Sequence, residues 1–360
     1  MLVCKGMIRD LLVHGVTVFP ECERFEFVPG INVVVGGNDS GKSHLLKLCY
    51  VVARWSAEGG KKSLPERWAE EQRLRTDLMR VFSSHDLSGL TALNRGNDHA
   101  KVCVSLQGEK VPEGMGKVCF TFNADEEEEG LHIKEMPKRF LNDPVVFLTA
   151  REVFAIFPSF LQLGKRFPEI LDGACWDLCR YLENDALAKL DSVELERVLA
   201  KLNKMIGGKV VKQDGRFYLK RPGQELMEMS LVAEGFKRLG TLSYLLNNGS
   251  VRHGTVLCWD EPEMNLNAAN LPLLVQVMTG LVKAGVQLII SSHSLFLLRE
   301  LMIQLSERKN HMVPRQFFAL QVPKDRHKGV RVMQGEGLDD IGKLDSLEAE
   351  IEQADRYLNL

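Results

Sequence analysis

The chain alternates short apolar runs with segments whose apolar residues recur every three or four positions. Residues 24–28 alternate in strand fashion, and residues 31–35 form a β-branched run. A glycine-rich loop follows, and then Leu45, Cys49 and Val52 fall on one face of a helix. The pattern predicts two strands, a loop and a helix.

The period changes further along the chain. Residues 65–90 have a helical pattern, in which Trp68, Leu78 and Phe82 are the predicted core contacts. Residues 101–133 switch to a period of two. This switch predicts an antiparallel β patch.

The rest of the chain predicts the fold class. Residues 144–149 indicate a buried strand, residues 152–205 a helical lobe, and Asp214-Gly215 the turn of a hairpin. In the second half, helical patterns alternate with strands at 255–259 and 286–290. Such alternation predicts an α/β fold with a mainly parallel core sheet.

Composition and charge exclude several classes of protein. The 360 residues are 45% apolar and carry 46 basic and 48 acidic side chains, which is typical of a folded globular chain. A net charge of −2 gives no indication that the protein binds nucleic acid over a large basic surface, although the sequence does not exclude a local basic patch. No run of 18 apolar residues occurs, so we expect a cytoplasmic protein without a membrane partner. The acidic run 125–129 predicts a solvated hairpin tip.

The eight cysteines are scattered without CxxC spacing. Most lie in apolar runs, so we expect them to be reduced and buried. Cys175 and Cys179 are four residues apart on a predicted helix, but no matching His or Cys pair accompanies them. Core packing is therefore the favoured interpretation for both.

A phosphate-binding motif lies between the second predicted strand and the helix. It has the pattern G-x-x-x-x-G-K-[ST] and consists of Gly36, Gly37, Asn38, Asp39, Ser40, Gly41, Lys42 and Ser43, followed by His44. The loop amides and the helix N-terminus favour a phosphate chain. We expect Lys42 to reach the β- and γ-phosphates and Ser43 to ligate Mg²⁺.

A second candidate element follows the strand at 255–259. There the residues Asp260-Glu261-Pro262-Glu263 place adjacent acids at the end of an apolar run. Ligands of open parallel sheets bind at this end of the strands. We expect Asp260 to hold Mg²⁺ and Glu261 to act as the general base for an attacking water.

Four motifs then occur in a familiar order. The phosphate loop precedes residues 232–236, which open a helix, the acids at 260–263, and Ser291-Ser292-His293. Gly235 precedes Asp260 by 25 residues, and His293 follows it by 33. In this order and spacing the chain resembles ATP-binding-cassette (ABC) ATPases of the chromosome-maintenance (SMC) and nuclease-associated branch.

The resemblance implies a fold, a partner and a set of roles. The fold would be an ABC/SMC-type P-loop ATPase head, binding ATP and Mg²⁺. His293 would be the switch histidine at the γ-phosphate, and residues 264–267 would contact the opposite protomer. Glu234 and Gly235 of one copy would cap the nucleotide of another, which implies a homodimer or a higher homo-oligomer closed by ATP.

Two positions depart from the family pattern. The signature normally has Ser where this chain has Ala233, which implies slow or partner-dependent hydrolysis unless Lys237 or Arg238 compensates. The glutamine that normally follows a core strand has no clear counterpart. The candidate glutamines are Gln72, Gln107 and Gln162, and none of them follows a predicted core strand.

Within that branch the chain resembles, more loosely, the small ATPases allied to OLD-type nucleases and phage-defence systems. It rests on the acids at 260–263, on residues 29–33 and on residues 148–152. The 67 residues after His293 are too few for a nuclease domain, so we expect the effector, a nuclease or toxin, on a separate chain. We predict one head over residues 1–360 with a helical lobe at 152–205.

The predicted C-terminal helical tail covers residues 340–360. It has an apolar stripe that we expect to pack on the head, made of Leu344, Leu347, Ile351, Ala354 and Leu358. Docking of a partner helix is the alternative.

Three other functions stay open. A DNA-repair clamp resembling the RecF group would bind DNA in an ATP- and salt-dependent way. A transporter's nucleotide-binding subunit would need a membrane partner and a signature Ser, which Ala233 replaces. An ATP-binding scaffold would show the same turnover before and after a Glu261→Gln substitution.

Overall fold

A computed structural model describes residues 6–59, 66–92, 99–123, 130–166, 172–190, 192–323, 329–343 and 345–359. These residues form three sheets and the helices packed on them. The strands are β1 (Met7–His14), β2 (Glu23–Glu26), β3 (Ile31–Gly36), β4 (His99–Gly108), β5 (Val111–Asn123), β6 (Leu131–Glu135), β7 (Val145–Leu148), β8 (Lys209–Gln213), β9 (Arg216–Lys220), β10 (Met227–Glu228), β11 (Val256–Asp260), β12 (Gln287–Ser292), β13 (Arg315–Gln321) and β14 (Arg331–Gly335). The helices are α1 (Lys42–Gly59), α2 (Arg67–Phe82), α3 (Phe157–Arg166), α4 (Gly173–Glu183), α5 (Val193–Ile206), α6 (Glu234–Asn247), α7 (Leu271–Lys283), α8 (Leu295–Ser306) and α9 (Asp345–Leu358).

The central sheet has six strands in the order β14-β13-β3-β12-β11-β7. Every neighbouring pair is parallel except β13 with β14. Val33 of β3 lies beside Ile290 of β12 and beside Phe317 of β13. The strands β3, β11 and β12 therefore end at one edge of the sheet, where the sequence motifs follow them. The predicted α/β fold with a mainly parallel sheet is confirmed.

A second sheet is antiparallel and has the order β2-β1-β4-β5-β6. Helix α1 packs between the two sheets, so nearly all of its length is buried, including Tyr50 and Trp55. This sheet confirms the predicted β patch. The sequence pattern did not predict β1, whose charged residues Arg9 and Asp10 interrupt the apolar alternation.

Helices α5 to α8 pack on the opposite face of the central sheet, and a small sheet β10-β9-β8 adjoins them. The hairpin turn predicted between β8 and β9 is confirmed, since Asp214 and Gly215 have φ angles of 51° and 74°. Helices α3, α4 and α5 lie in the segment predicted to be helical. None of the helices in the described part of the chain is long and apolar enough to cross a membrane.

One predicted core contact of α2 is wrong. Leu78 is fully buried and Phe82 packs against the core, but Trp68 is 64% exposed. The buried face of this helix is set by Leu74, Leu78 and Val81, at spacings of four and three. Trp68 is six residues before Leu74 and falls off that face.

The prediction that all cysteines are reduced is also wrong. Cys103 of β4 and Cys119 of β5 lie directly opposite each other and form a disulfide, with Cα atoms 4.1 Å apart. Cys175 and Cys179 are free and buried, whereas Cys22 is free but exposed. The pairing depends on strand register, which the spacing of cysteines does not reveal.

The described part of the predicted apolar stripe on the tail is exposed. Ala354 and Leu358 of α9 are exposed, the latter by 79%. Leu344, the side chains of Leu347 and Ile351, and the acidic run 125–129 lie outside the described residues. Packing of the first part of the stripe on the head therefore stays a prediction.

Candidate functional site

The glycine-rich loop joins β3 to α1 at the carboxyl edge of the central sheet. Gly41 has a φ of 92°, and a Cβ there would lie 2.4 Å from Val18 Cγ2, so only glycine fits. A Cβ at Gly37 would meet no atom within 4 Å. Asn38 and Asp39 are exposed at the tip of the loop, and the Ser40 hydroxyl donates to Gly37 O at 2.8 Å. The loop is therefore fixed by contacts on its inner side, while its tip at Asn38 and Asp39 is exposed to solvent.

The Lys42 ammonium lies across this loop. It donates to the carbonyl oxygens of Gly36 and Gly37 at 2.9 and 2.8 Å. Burial lowers the pKa of Lys42, while the nearby carboxylates of Glu261 and Asp260 oppose that shift. The cation is held by neutral carbonyls, so its charge is available to an anion in the loop.

The Ser43 hydroxyl contacts Asp260, the other residue predicted to ligate Mg²⁺. It donates to Asp260 Oδ2 and Oδ1 at 3.0 and 3.3 Å, across 217 residues of sequence. Ser291 Oγ donates to the same carboxylate. Magnesium in nucleotide sites is held by one or two carboxylates together with phosphates and waters, and the hydroxyl and carboxylate here fit that donor set.

Glu261 has a backbone conformation that is unusual for a residue with a side chain. Its φ is 46°, and its N–H donates to Ser291 O and Oγ at 3.2 and 3.1 Å. Such backbone costs of order 1–3 kcal/mol and needs fixed surroundings. His293 Nδ1 lies 2.9 Å from Glu261 Oε1, with 53% of the His293 side chain exposed. The predicted base and the predicted switch histidine are thus in contact.

A third carboxyl group belongs to this cluster and was not among the predicted site residues. Ser292 Oγ donates to Glu263 Oε1 at 2.6 Å. Glu263 Oε2 is buried and has no partner among the described residues, and burial raises the pKa of this carboxyl. We call residues 260–263 the acidic turn. The run Ser291-Ser292-His293 supplies one contact to each of its three carboxyl groups, a pairing that the two short motifs in the sequence do not show.

Residues 232–236, the predicted signature segment, lie at the start of α6 beside the acidic turn. Gly235 is buried, and a Cβ there would lie 2.4 Å from Asn265 O in the loop that follows the turn. Ala233 precedes the helix as its N-cap without a side-chain hydrogen bond. Ala233 and Glu234 are exposed. The segment is anchored through Gly235 and presents its first residues outward.

Arg238, one of the two cations near the missing signature hydroxyl, is directed into its own chain. It is buried and donates to Asp260 O and Glu261 O at 2.5 and 2.7 Å. Burial lowers its pKa, and the carboxylates of the acidic turn oppose this. Lys237 is buried too and pairs with Glu234 at 2.6 Å. Both cations are engaged within the chain, and Arg238 positions the backbone of the acidic turn.

A further prediction concerns His44, which directly follows the phosphate loop. His44 packs its ring 5.7 Å from that of Phe82, and burial lowers its pKa. Its predicted contact with nucleotide stays a prediction.

The edge strand beside β11 is β7, and it is followed by Thr149, Ala150, Arg151 and Glu152 rather than by a glutamine. The three candidate glutamines lie instead on α2 (Gln72), β4 (Gln107) and α3 (Gln162).

The sheet order, the phosphate loop and the acidic turn define the fold of an ABC/SMC-type P-loop ATPase head. Residues 138–299 match the family model described as "AAA domain, putative AbiEii toxin, Type IV TA system". This range contains the predicted signature segment, the acidic turn and the predicted switch histidine. The resemblance to ABC/SMC-like ATPases inferred from the sequence is confirmed.

Solved structures show the same fold at low sequence identity. An Smc head domain from Pyrococcus furiosus, with an extended coiled coil and bound to the C-terminal domain of ScpA, is 11% identical with a TM-score of 0.53. The alignment covers 98% of this chain and 99% of that one. An SmcHead bound to the C-winged helix domain of ScpA is 14% identical with a TM-score of 0.54, covering 92% and 98%. No curated protein matches the chain in sequence.

Proposed function

We propose that the chain binds ATP with Mg²⁺ and hydrolyses it at an interface between two copies of the protein. The observation that carries this proposal is the contact of Ser43 with Asp260. It joins a loop that can hold a phosphate chain to a carboxylate suited to the metal, at the edge where parallel strands end. The match of 138–299 to an AAA domain supports the same function.

The residues have distinct roles in this proposal. The loop amides and Lys42 bind the phosphates, and Ser43 and Asp260 hold the metal. When bound, Mg²⁺ neutralises charge on the β- and γ-phosphate oxygens. Glu261 takes the proton of the attacking water, and the hydrogen bond from His293 orients its carboxylate.

The proposed interface is the face that carries the signature segment and the switch histidine. Leu231 is 76% exposed just before the signature, and Phe296 is 63% exposed just after His293. Exposed apolar side chains beside polar site residues are typical of interaction surfaces. A second copy would cover them while its Gly235 amide faces the γ-phosphate.

The nucleotide state would control a separate effector, and we propose a role in phage defence. Closure lasts while the γ-phosphate is present, so hydrolysis times a conformational switch. The family description names a toxin and a toxin–antitoxin system, and both SMC heads are bound to a domain of another protein. These comparisons support a protein partner for this chain.

Light scattering of the Glu261→Gln variant tests the proposed dimer. With ATP and Mg²⁺ its mass should double, because the nucleotide is not hydrolysed; without nucleotide it should stay monomeric. The wild-type protein should release phosphate at a rate per chain that rises with protein concentration. A rate independent of concentration would contradict hydrolysis at an interface between copies.

A pull-down against the product of the neighbouring reading frame tests the effector. Retention that depends on ATP would support the switch. Retention that is the same with and without nucleotide would contradict it.

A further inference from the structure

The disulfide between Cys103 and Cys119 joins two neighbouring strands of the antiparallel sheet. Cys103 lies on β4 and Cys119 on β5, and the two are separated by 16 positions in the sequence. Neither residue belongs to the proposed ATP site at the edge of the central sheet. The pair is therefore a chemical feature of the fold that the ATP site does not explain.

Strand pairing alone holds the two cysteines together. Directly opposite residues of antiparallel strands have Cα atoms about 4.5 or 5.5 Å apart, depending on the hydrogen-bond pattern. The Cα atoms of Cys103 and Cys119 are 4.1 Å apart, and the next pair, Val104 and Val118, keeps the same register. The two sulfurs therefore stay adjacent when the bond between them is broken, because the backbone ladder fixes their separation.

The disulfide lies on the face of the sheet that points away from α1. The neighbouring residues Val102, Val104 and Val118 are fully buried in the core that the sheet shares with α1. Side chains alternate between the two faces of a strand, and Cys103 is accordingly only partly buried, whereas Cys119 is 7% exposed. An external thiol can thus approach the sulfur of Cys103 without opening the core.

Two exposed lysines flank the disulfide on this face. Lys101 precedes Cys103 by two residues and Lys117 precedes Cys119 by two, so each shares a face with its cysteine. Lys117 pairs with Glu135 at 2.8 Å, and Glu135 lies opposite Cys119 on β6. Lys101 has no ion pair with a described residue, so its charge is not offset. Cations beside a sulfur favour the thiolate, which is the reactive form in disulfide exchange.

We propose that Cys103 and Cys119 are a reversible redox pair, which exchanges with external thiols in the folded protein. The thiolate of one external thiol attacks the Cys103 sulfur, forms a mixed disulfide and releases Cys119 as a thiolate, which takes a proton from water. A second external thiolate attacks the mixed disulfide at the external sulfur and releases Cys103, which is protonated likewise. Two external thiols are thus oxidised to one disulfide while the pair is reduced to two thiols. Disulfides of cytoplasmic proteins, the class expected from the sequence, are mostly of this transient kind.

The redox state of the pair changes how firmly the antiparallel sheet is held. A cross-link limits the conformations of the unfolded chain, so the oxidised form is the more stable one. Strand β4 also pairs with β1, where Leu12 lies opposite Cys103. The turn after β1 carries Val18, whose side chain packs against Gly41 of the phosphate loop. The pair thus sets the stability of the sheet that supports this loop.

Alkylation of the native chain in glutathione, read by mass spectrometry of the cysteine peptides, tests the proposal. Reduced glutathione should make Cys103 and Cys119 available to the alkylating reagent without denaturant, and oxidised glutathione should restore the disulfide. Cys22 is free and exposed and should be labelled in every sample, whereas the buried Cys49 should stay unlabelled. Structural disulfides resist glutathione. A pair that is reduced only in urea, or that oxidised glutathione does not link again, would overturn the proposal.

Thermal unfolding of matched variants gives a second measurement. The melting temperature of the wild-type protein should fall by about 3–6 °C in reduced glutathione, and that of the control Cys22→Ser should fall equally. Cys103→Ser and Cys119→Ser should each melt at one temperature with and without the reductant, because neither can form the link. A redox-dependent shift that persists in both variants would assign the effect to other cysteines and contradict the inference.

Discussion

Two clusters of charged side chains involve α1, one along the helix and one at its N-terminal end, and they differ in how their charges are paired. Between α1, α2 and α4, the buried guanidinium of Arg54 contacts Asp77 and Asp177 at 3.0 Å, and Arg80 contacts Asp177 at 2.9 Å. Tyr50 also donates to Asp177. Each charge there has an opposite charge as its neighbour. Such a network holds α1, α2 and α4 together, and because its charges are paired with one another it is poorly suited to bind a charged ligand.

At the edge of the central sheet, carboxylates and cations are kept apart. Asp260 and Glu263 contact hydroxyls, and Glu261 contacts an imidazole. Lys42 and Arg238 contact carbonyl oxygens instead. Hydroxyls and carbonyl oxygens fix Asp260, Glu263, Lys42 and Arg238 in place without neutralising them, which suits a site that binds both a metal ion and phosphates. The pairing pattern, more than the number of charges, separates a structural cluster from a candidate site.

The largest effect on activity is expected at Glu261. Glu261→Gln keeps the shape of the side chain but removes the carboxylate that acts as the base, so the rate of ATP hydrolysis should fall about 10²- to 10⁴-fold. ATP affinity should be unchanged, because the phosphates contact the loop. Steady-state phosphate release and calorimetry measure the two. Glu225→Gln, in an exposed turn, is the control; an unchanged rate in Glu261→Gln would show that the chain is a scaffold or uses another base.

The two clusters should lose stability to different extents when one acid is removed. Asp177→Ala removes the carboxylate that the two buried guanidinium groups of Arg54 and Arg80 share, so the free energy of unfolding should drop by about 3–5 kcal/mol. Asp260→Asn should cost less than about 1 kcal/mol, because its partners are hydroxyls. Denaturant titration measures both, with the exposed Glu113→Ala as control. Equal losses at 177 and 260 would contradict the distinction between the clusters.

Adding a hydroxyl at the signature should give a smaller effect. Ala233 is an uncapped N-cap, so Ala233→Ser should raise the free energy of unfolding by about 1 kcal/mol. The same hydroxyl would donate to the nucleotide of a second copy and favour the ATP-dependent dimer. Thermal unfolding and light scattering test these effects separately. A gain in stability without a tighter dimer would place Ala233 outside the interface.

The smallest effect is expected at Glu263 and depends on pH. Burial raises the pKa of Glu263 above its ordinary value of 4.5, so the folded chain holds this proton more tightly than the unfolded chain. Its contribution to stability is present below pH 4.5 and is lost as the pH rises through the raised pKa. Glu263→Gln should therefore gain stability relative to wild type between pH 4.5 and 8. A difference that is constant over this range would contradict a raised pKa.

The elements that the sequence predicted well share a local signal. The phosphate loop, the acids after β11 and the histidine after β12 each follow an apolar run that ends at one edge of a parallel sheet. Their proximity follows from that shared edge. The inward position of Arg238 and the role of Ser292 depend on which side chains face each other across the turn, and no local pattern encodes this.

Long-range pairings account for most of what was missed. Tyr50 and Asp177 are 127 residues apart, and nothing around either residue marks them as partners. The disulfide between Cys103 and Cys119 needs the register of two strands. The end of the tail shows the reverse case, because Ala354 and Leu358 belong to a regular apolar stripe and are nevertheless exposed.

The most direct measurement is a calorimetric titration of wild-type protein and Lys42→Ala with ATP and Mg²⁺. The Lys42 ammonium donates hydrogen bonds to the loop carbonyl oxygens of Gly36 and Gly37, where a bound phosphate would meet its charge. The account predicts saturable binding of one ATP per chain in the wild-type protein and its loss in Lys42→Ala, with an unchanged circular dichroism spectrum and melting temperature. Equal ATP binding by the two folded proteins would contradict the assignment of the loop at 36–43 as the phosphate site.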